Sequence, residues 1–231
     1  MNTQTLVVPK FDYASMSRQS INGKRFYSTP TGEKLPSVTT ILSATMPQEK
    51  LDGLQKWRDA VGHQKAQTIT TEAAGVGTVM HKLLEEHTLG LSKPPGTNMV
   101  QKIAHPMAQK IINEGLIHLN ELWGVEIPLY FPGLYAGSTD GAGLWKGNEA
   151  IFDYKQTNKP KKDEYVTDYK LQLCAYALAH NEVYKTNIRT GVILMCSRAC
   201  EYQQWVIEGE EFDYWADQWW SRVEKYYSVV A

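Results

Sequence analysis

Near residue 125 the apolar period of this chain changes, and that change limits the folds open to it. Upstream, Val76, Met80, Leu83 and Leu84 recur at helical spacing; downstream, Val125, Ile127, Leu129 and Phe131 alternate as along a strand. The upstream pattern predicts a helix from Val76 to about Leu89, a break at Pro94-Pro95-Gly96, and a second helix from about Asn98 to Leu122. The alternating run turns at Pro132-Gly133 into a second strand, Leu134–Leu144. Trp145-Lys146-Gly147-Asn148 then turns the chain into a third, Glu149–Gln156. A helix from about Thr167 to Asn181 follows, with Leu171, Cys174, Ala175 and Leu178 inward, then strands at 188–196 and Glu201–Ile207. The chain closes on a helix whose stripe of Phe212, Trp215, Trp219, Val223 and Tyr226 reads as core packing. Helix, three antiparallel strands, helix, strand is an α+β order, unlike the regular alternation of a doubly wound sheet.

The N-terminal third is less regular. Asn22-Gly23 predicts a hairpin between Gln19 and Tyr27, and Pro36-Ser37 precedes a short helix through Val38, Ile41 and Leu42. Residues 48–66 read as a polar helix with Leu51, Leu54, Trp57 and Val61 on one face. Thr68 to Gly77 has no strong period and reads as a mobile connector. The expected division is an N-terminal segment with a helical extension, 1–75, and a core, 76–231.

A chain of 231 residues suffices for one substantial core. No window approaches the roughly 20 consecutive apolar residues of a membrane span, and the first residues do not look like a secretion signal or a mitochondrial presequence. The expected setting is the cytoplasm of a bacterium or of a virus-infected cell. Cys174, Cys196 and Cys200 are too few for a disulfide framework and read as buried or free thiols. The net charge of −1 excludes a generally basic nucleic-acid binder, so any phosphate-binding surface must be local. Lys159-Pro160-Lys161-Lys162 is the clearest such run, with Lys24 and Arg25 as a weaker second patch.

Chemistry concentrates in Gly137-Ser-Thr-Asp140 and Ile151-Phe-Asp153-Tyr-Lys155, on two strands of one predicted hairpin. Asp153 and Lys155, two apart, leave the same face of their strand. Two carboxylates and a lysine on a face otherwise built of Ile, Phe, Ala and Tyr would be costly if unpaired. A divalent cation between the carboxylates removes that cost, and hard oxygen donors suit Mg²⁺ or Mn²⁺. Such a site points to phosphodiester hydrolysis. Two helical pairs at four-residue spacing flank it in sequence: His81 with Glu85 before, Gln172 with Tyr176 after. A zinc hydrolase fits less well. His81 and His87 have HxxxxxH rather than HExxH spacing and lie on different helix faces.

In this order Met80-His81, Gly137-Ser-Thr-Asp140, Asp153-Tyr-Lys155 and Gln172-Leu-Cys-Ala-Tyr176 resemble the PD-(D/E)XK nucleases of the RecB type. Within that superfamily the chain is most similar to the mitochondrial genome maintenance exonuclease family and its phage relatives. The similarity runs from Leu35-Pro-Ser-Val-Thr-Thr-Ile to Tyr214-Trp and Tyr226-Tyr. The resemblance implies a central mixed sheet flanked by helices, with the stretch from Gln48 to Ala74 arching over the site. It implies His81, Asp140, Asp153 and the Tyr154 carbonyl as metal ligands. Glu85 would reach a second metal or a metal-bound water, or else lie at the surface. Lys155 would activate water or steady the scissile phosphate, and Gln172 and Tyr176 would shape the site and hold the DNA backbone. From its place just after the motif, the basic run of Lys159, Lys161 and Lys162 is expected to contact DNA. The implied activity is a Mg²⁺- or Mn²⁺-dependent exonuclease on single-stranded DNA ends. The alternatives are an endonuclease of the same type, flap- or structure-specific, or a non-catalytic DNA-binding module. The chain departs from some relatives in lacking a four-cysteine iron–sulfur staple. No GxxxxGK[ST] motif is present, so ATP is not expected. Gln156 stands where Thr is common, with Thr157 next.

Overall fold

The computed structural model of the chain describes residues 5–91, 94 and 96–230. Of the expected break at 94–96, Pro95 lies outside them. Five strands form the central sheet in the order β4-β5-β6-β7-β8: β4 Leu119–Phe131, β5 Tyr135–Trp145, β6 Asn148–Thr157, β7 Thr190–Ser197 and β8 Tyr202–Glu208. Lys146 and Gly147, both at positive φ, make the tight turn between β5 and β6. The sheet is mixed because β6 and β7 run parallel, joined through helix α5 (Thr167–Tyr184); the other neighbours are antiparallel. Every residue of β7 is buried, as its unbroken apolar run requires of a strand covered on both faces.

Two cores sit on the two faces. On one, α5 and the closing helix α6 (Gly209–Val230) pack with the short α1 (Val38–Ala44). Phe212, Trp219, Val223 and Tyr226 are buried there as the helical stripe predicts, while Trp215 is only partly covered. On the other face, α3 (His63–Thr88) and α4 (Met99–Glu114) bury Met80, Leu84, Met107 and Ile111 against Phe152, Val192 and Leu194. A three-stranded antiparallel sheet, β1 Ser17–Ile21, β2 Lys24–Ser28 and β3 Lys34–Pro36, contains the expected Asn22-Gly23 hairpin and bridges to β5 at Ser37 and Ala136. Ser37 caps α1, accepting from the Thr40 amide. All three cysteines are free thiols. Among the described residues no helix is long and apolar enough to cross a membrane.

Three sequence expectations need correction. The segment Thr68–Gly77 is not a connector but the middle of α3, a continuous helix from His63 to Thr88. Only Val76 is buried along that stretch, so it has almost no core-facing side to imprint a period. The helix expected over 48–66 ends at Val61: Gly62, at φ +89°, separates α2 (Gln48–Val61) from α3. No α2 residue is buried, so Leu51, Leu54 and Trp57 form an exposed stripe. The helix expected to reach Leu122 stops at Glu114. Strand β4 starts at Leu119, with irregularities between Leu119 and Glu121 and between Leu122 and Gly124. Leu116 lies in a 3-10 turn, Leu116–His118, and the irregularity after Leu119 extends its three-residue spacing through Leu119 to Leu122, which mimics a helix.

Candidate active site

The β5–β6 ladder pairs Trp145 with Asn148 through Gly141 with Phe152 and then stops. The next opposed residues are Asp140 and Asp153. β6 continues beside β7, with Asp153 across from Ile193 and Lys155 across from Met195. The opening leaves donors and acceptors that the ladder would have used. The Tyr154 amide donates to Asp140 Oδ2, and Thr139 Oγ1 donates to the Phe152 carbonyl at 2.9 Å. The splayed strands thus hold Asp140 by a backbone donor, an arrangement that depends on where the pairing ends.

His81 reaches the site from α3, its Nδ1 2.9 Å from Asp140 Oδ1. Lys155 forms an ion pair with Asp153, and its ammonium lies 5.0 Å from the centre of the Tyr169 ring. On α5, Gln172 Nε2 donates to Tyr176 Oη at 2.9 Å. The Tyr176 ring packs against Gly137, where a β-carbon would sit 2.6 Å from Tyr176 Cε1. The glycine of the GSTD run is therefore there because a ring occupies the space of its side chain. The sequence-predicted His81, Asp140, Asp153, Lys155, Gln172 and Tyr176 come together. Glu85 lies half-buried, near enough to influence Glu126.

Glu126 is the residue that the sequence pattern did not single out. It lies between the register pairs Val125–Gly141 and Ile127–Thr139, which sets it opposite Asp140, and its backbone is left-handed at φ +49°. Amid Val125, Ile127 and Leu129 it reads as an ordinary outward polar residue. Donor atoms of His81, Glu126 and Asp140 lie within 4.8 Å of one another. Like charges directly opposite in a sheet are destabilising. Partial burial, reinforced by Asp140, raises the Glu126 carboxyl above its usual range.

The other groups respond to the same crowding. Burial is the largest influence on Asp140 and would raise it, but the imidazole of His81, the Lys155 charge and the Tyr154 amide together hold it low. Burial likewise works against a charged His81, yet Asp140 raises it overall. Asp153, only 3% exposed, is pushed up to about 6 by burial, with Lys155 opposing and Asp140 adding. Its Oδ2 is paired by charge with Lys155 but has no directed hydrogen bond. Burial would lower Lys155, but Asp153 and Asp140 raise it, so its ammonium stays charged near neutral pH. The clustered donors of His81, Glu126 and Asp140 are a set that suits a hard divalent cation, while Asp153 stands beside them with its Oδ2 turned to Lys155.

The basic run after β6 is tied down. Thr157 Oγ1 donates to the Lys159 carbonyl at 2.7 Å. The Gln203 amide both accepts from the Lys161 amide and donates to its carbonyl, at 2.7 and 2.8 Å. Lys159, Lys161 and Lys162 line a groove of about 840 Å³ that continues to Trp57 of α2 and to Tyr165 and Tyr169.

No protein-family model matches the chain. It is 29% identical over 208 residues to mitochondrial genome maintenance exonuclease 1 of Mus musculus, covering 83% of this chain and 59% of that protein. With the protein of that name from Xenopus tropicalis the identity is 26% over 212 residues, or 84% and 56% of the two chains. The chain therefore spans under two thirds of the length of these relatives. Among solved structures, a protein of Eubacterium rectale provisionally described as an exonuclease matches at 14% identity and a TM-score of 0.48, over 67% of this chain and 64% of that one. By sequence, the chain is related to the mitochondrial genome maintenance exonuclease family.

Proposed function

We propose that this protein is a metal-dependent nuclease of the PD-(D/E)XK type that degrades single-stranded DNA from free ends. The observation that carries the reading is the convergence of His81, Asp140, Asp153 and Lys155 at the point where β5 and β6 separate. His81, Asp140, Asp153 and Glu126 would hold Mg²⁺ or Mn²⁺, with the Tyr154 carbonyl as a further donor. When bound, the cation would lower the pKa of a water and offset charge on the phosphate. Lys155 is the cationic group of the cluster. Being protonated, it suits steadying the scissile phosphate and the attacking oxygen better than removing a proton. Attack by water on phosphorus breaks one P–O bond and leaves a phosphate on one product and a hydroxyl on the other. The Gln172–Tyr176 pair sets the wall behind Gly137 and so the position of the Asp140 strand.

The single-strand preference rests on the groove beside Lys155. Exposed Trp57 and Tyr165 with three lysines offer stacking surfaces and cations together, which suits an unpaired strand. The free-end preference rests on the relatives, whose names describe exonucleases. Linear and circular single-stranded DNA of one sequence, incubated with Mg²⁺, separate the possibilities. The expected result is loss of the linear form alone. Equal loss of both would assign an endonuclease, and retention of DNA without metal-dependent cleavage a binding module. Asp153→Ala and Lys155→Ala should each lower the rate by about 100-fold or more, and full activity in either would remove the site assignment.

A further inference from the structure

A second basic groove lies away from the Lys159–Lys162 run. The β1–β2 hairpin and α1 enclose about 700 Å³, lined by Arg18, Lys24 and Arg25 together with Thr39 and Ser43. The register places Arg18 opposite Tyr27 and Ser20 opposite Arg25, so the two arginines leave the same face of the hairpin. The groove is held in shape. Thr40 Oγ1 accepts from the Arg25 amide at 3.0 Å and donates to the Arg25 carbonyl at 2.9 Å, fastening β2 to α1.

Its charge is unbalanced. No acidic side chain lines the groove, and none of the three cations is ion-paired among the described residues. In a chain of net charge −1, three unpaired cations around one concavity are a local excess that a polyanion would neutralise. The groove is also next to the chemistry. β3 and α1 contact β5, the strand that carries Asp140, and the Arg18 charge is felt at Glu126 on β4. The Lys159–Lys162 groove follows β6, the strand that carries Asp153 and Lys155, and shares no lining residue with this one.

We infer that the Arg18–Lys24–Arg25 groove is a phosphate-binding track for the same nucleic-acid strand, so that the substrate is held by a second cationic groove besides the one that follows β6. The inference rests on the nuclease reading and adds a substrate contact that the catalytic motifs do not contain. Exposed hydroxyls of Thr39 and Ser43 would donate to phosphate oxygens, and the two arginines would supply forked donors.

The test uses the full chain in EDTA, where binding is read without cleavage. A fluorescent 20-residue oligothymidylate is titrated by anisotropy from 50 to 300 mM NaCl, for wild type and for Arg18→Ala/Arg25→Ala. Both arginines are exposed, and a thermal melt checks that the variant folds. Two lost contacts to a single strand should raise Kd about tenfold at 100 mM salt and flatten the log Kd against log salt slope by about 1.4. Unchanged affinity and slope, with a wild type that binds and cleaves in Mg²⁺, would overturn the track and leave the nuclease reading standing. A wild type that neither binds nor cleaves would overturn both. Inorganic phosphate at 10 mM is the control for a small-anion site. If it protects the wild type from heat more than the variant while oligonucleotide affinity is equal, the groove serves a free anion and the track is wrong.

Discussion

At the scale of single residues, position in the register decides chemistry. Glu126 becomes a candidate ligand only because β4 sets it opposite Asp140. Glu126→Gln should weaken Mn²⁺ binding by about tenfold, of the order seen when groups supporting a metal are removed. The metal-free protein should melt no lower, because a like-charge pair is relieved. The measurement is the Mn²⁺-induced rise in Tm, and an identical rise in both proteins would exclude Glu126 as a ligand. One helical turn beyond Tyr176 on α5, His180 is fully buried, its ring nitrogens 3.0 Å from Tyr13 Oη and 2.8 Å from Thr186 Oγ1. Burial, with Lys10 adding, lowers it to about 4. The folded state therefore binds fewer protons than the unfolded state between about pH 6.5 and 4. Stability is full above that window and falls through it on acidification, by on the order of 3 kcal/mol. Chemical denaturation at pH 7 and pH 4.5 checks this, and His180→Gln should flatten the difference.

At the scale of elements, the motifs turn out to be packing relations between neighbours. Gly137 and Tyr176 are 39 positions apart in sequence and share one space across β5 and α5. Gly137→Ala should cost about 1–3 kcal/mol by overpacking and should also slow cleavage, because β5 carries Asp140 three residues on. Tyr176→Phe, which keeps the ring but removes the Gln172 hydrogen bond, should be milder in the same denaturation assay. If Gly137→Ala lost stability without loss of rate, the wall would be structural only. The hairpin, the α5 crossover and the aromatic closing helix were legible because each has a long face toward a core. α3 between Thr68 and Gly77 was not, because a helix with no core to face has no periodic side.

Across the whole molecule, stability and function are unevenly distributed. The central sheet is buried on both faces between two cores, whereas α2 buries nothing and touches mainly α3. Amide exchange should therefore be slowest in β6 and β7 and fast throughout α2, with single-stranded DNA slowing α2 through the groove that Trp57 lines. Protection of α2 equal to that of β7 in the free protein would show that this helix is packed in solution. A net charge of −1 conceals the two cationic grooves, since only the fold separates them from the acidic cluster.

By itself the sequence determined the α+β order and the β5–β6 hairpin, because periodicity and two-residue spacing are local properties of a strand or helix. The grouping of His81, Asp140, Asp153, Lys155, Gln172 and Tyr176 is an expectation from the ordered motifs of a family resemblance, and the fold brings those six side chains near one another. Only the tertiary structure decided where the β5–β6 ladder stops, that Glu126 faces Asp140, that Tyr176 fills the space at Gly137, and that Arg18 joins Lys24 and Arg25 around one groove. Each of these depends on strand register and on packing between elements, including α5 against β5 and α1 against β2, and neither leaves a periodic trace in the chain.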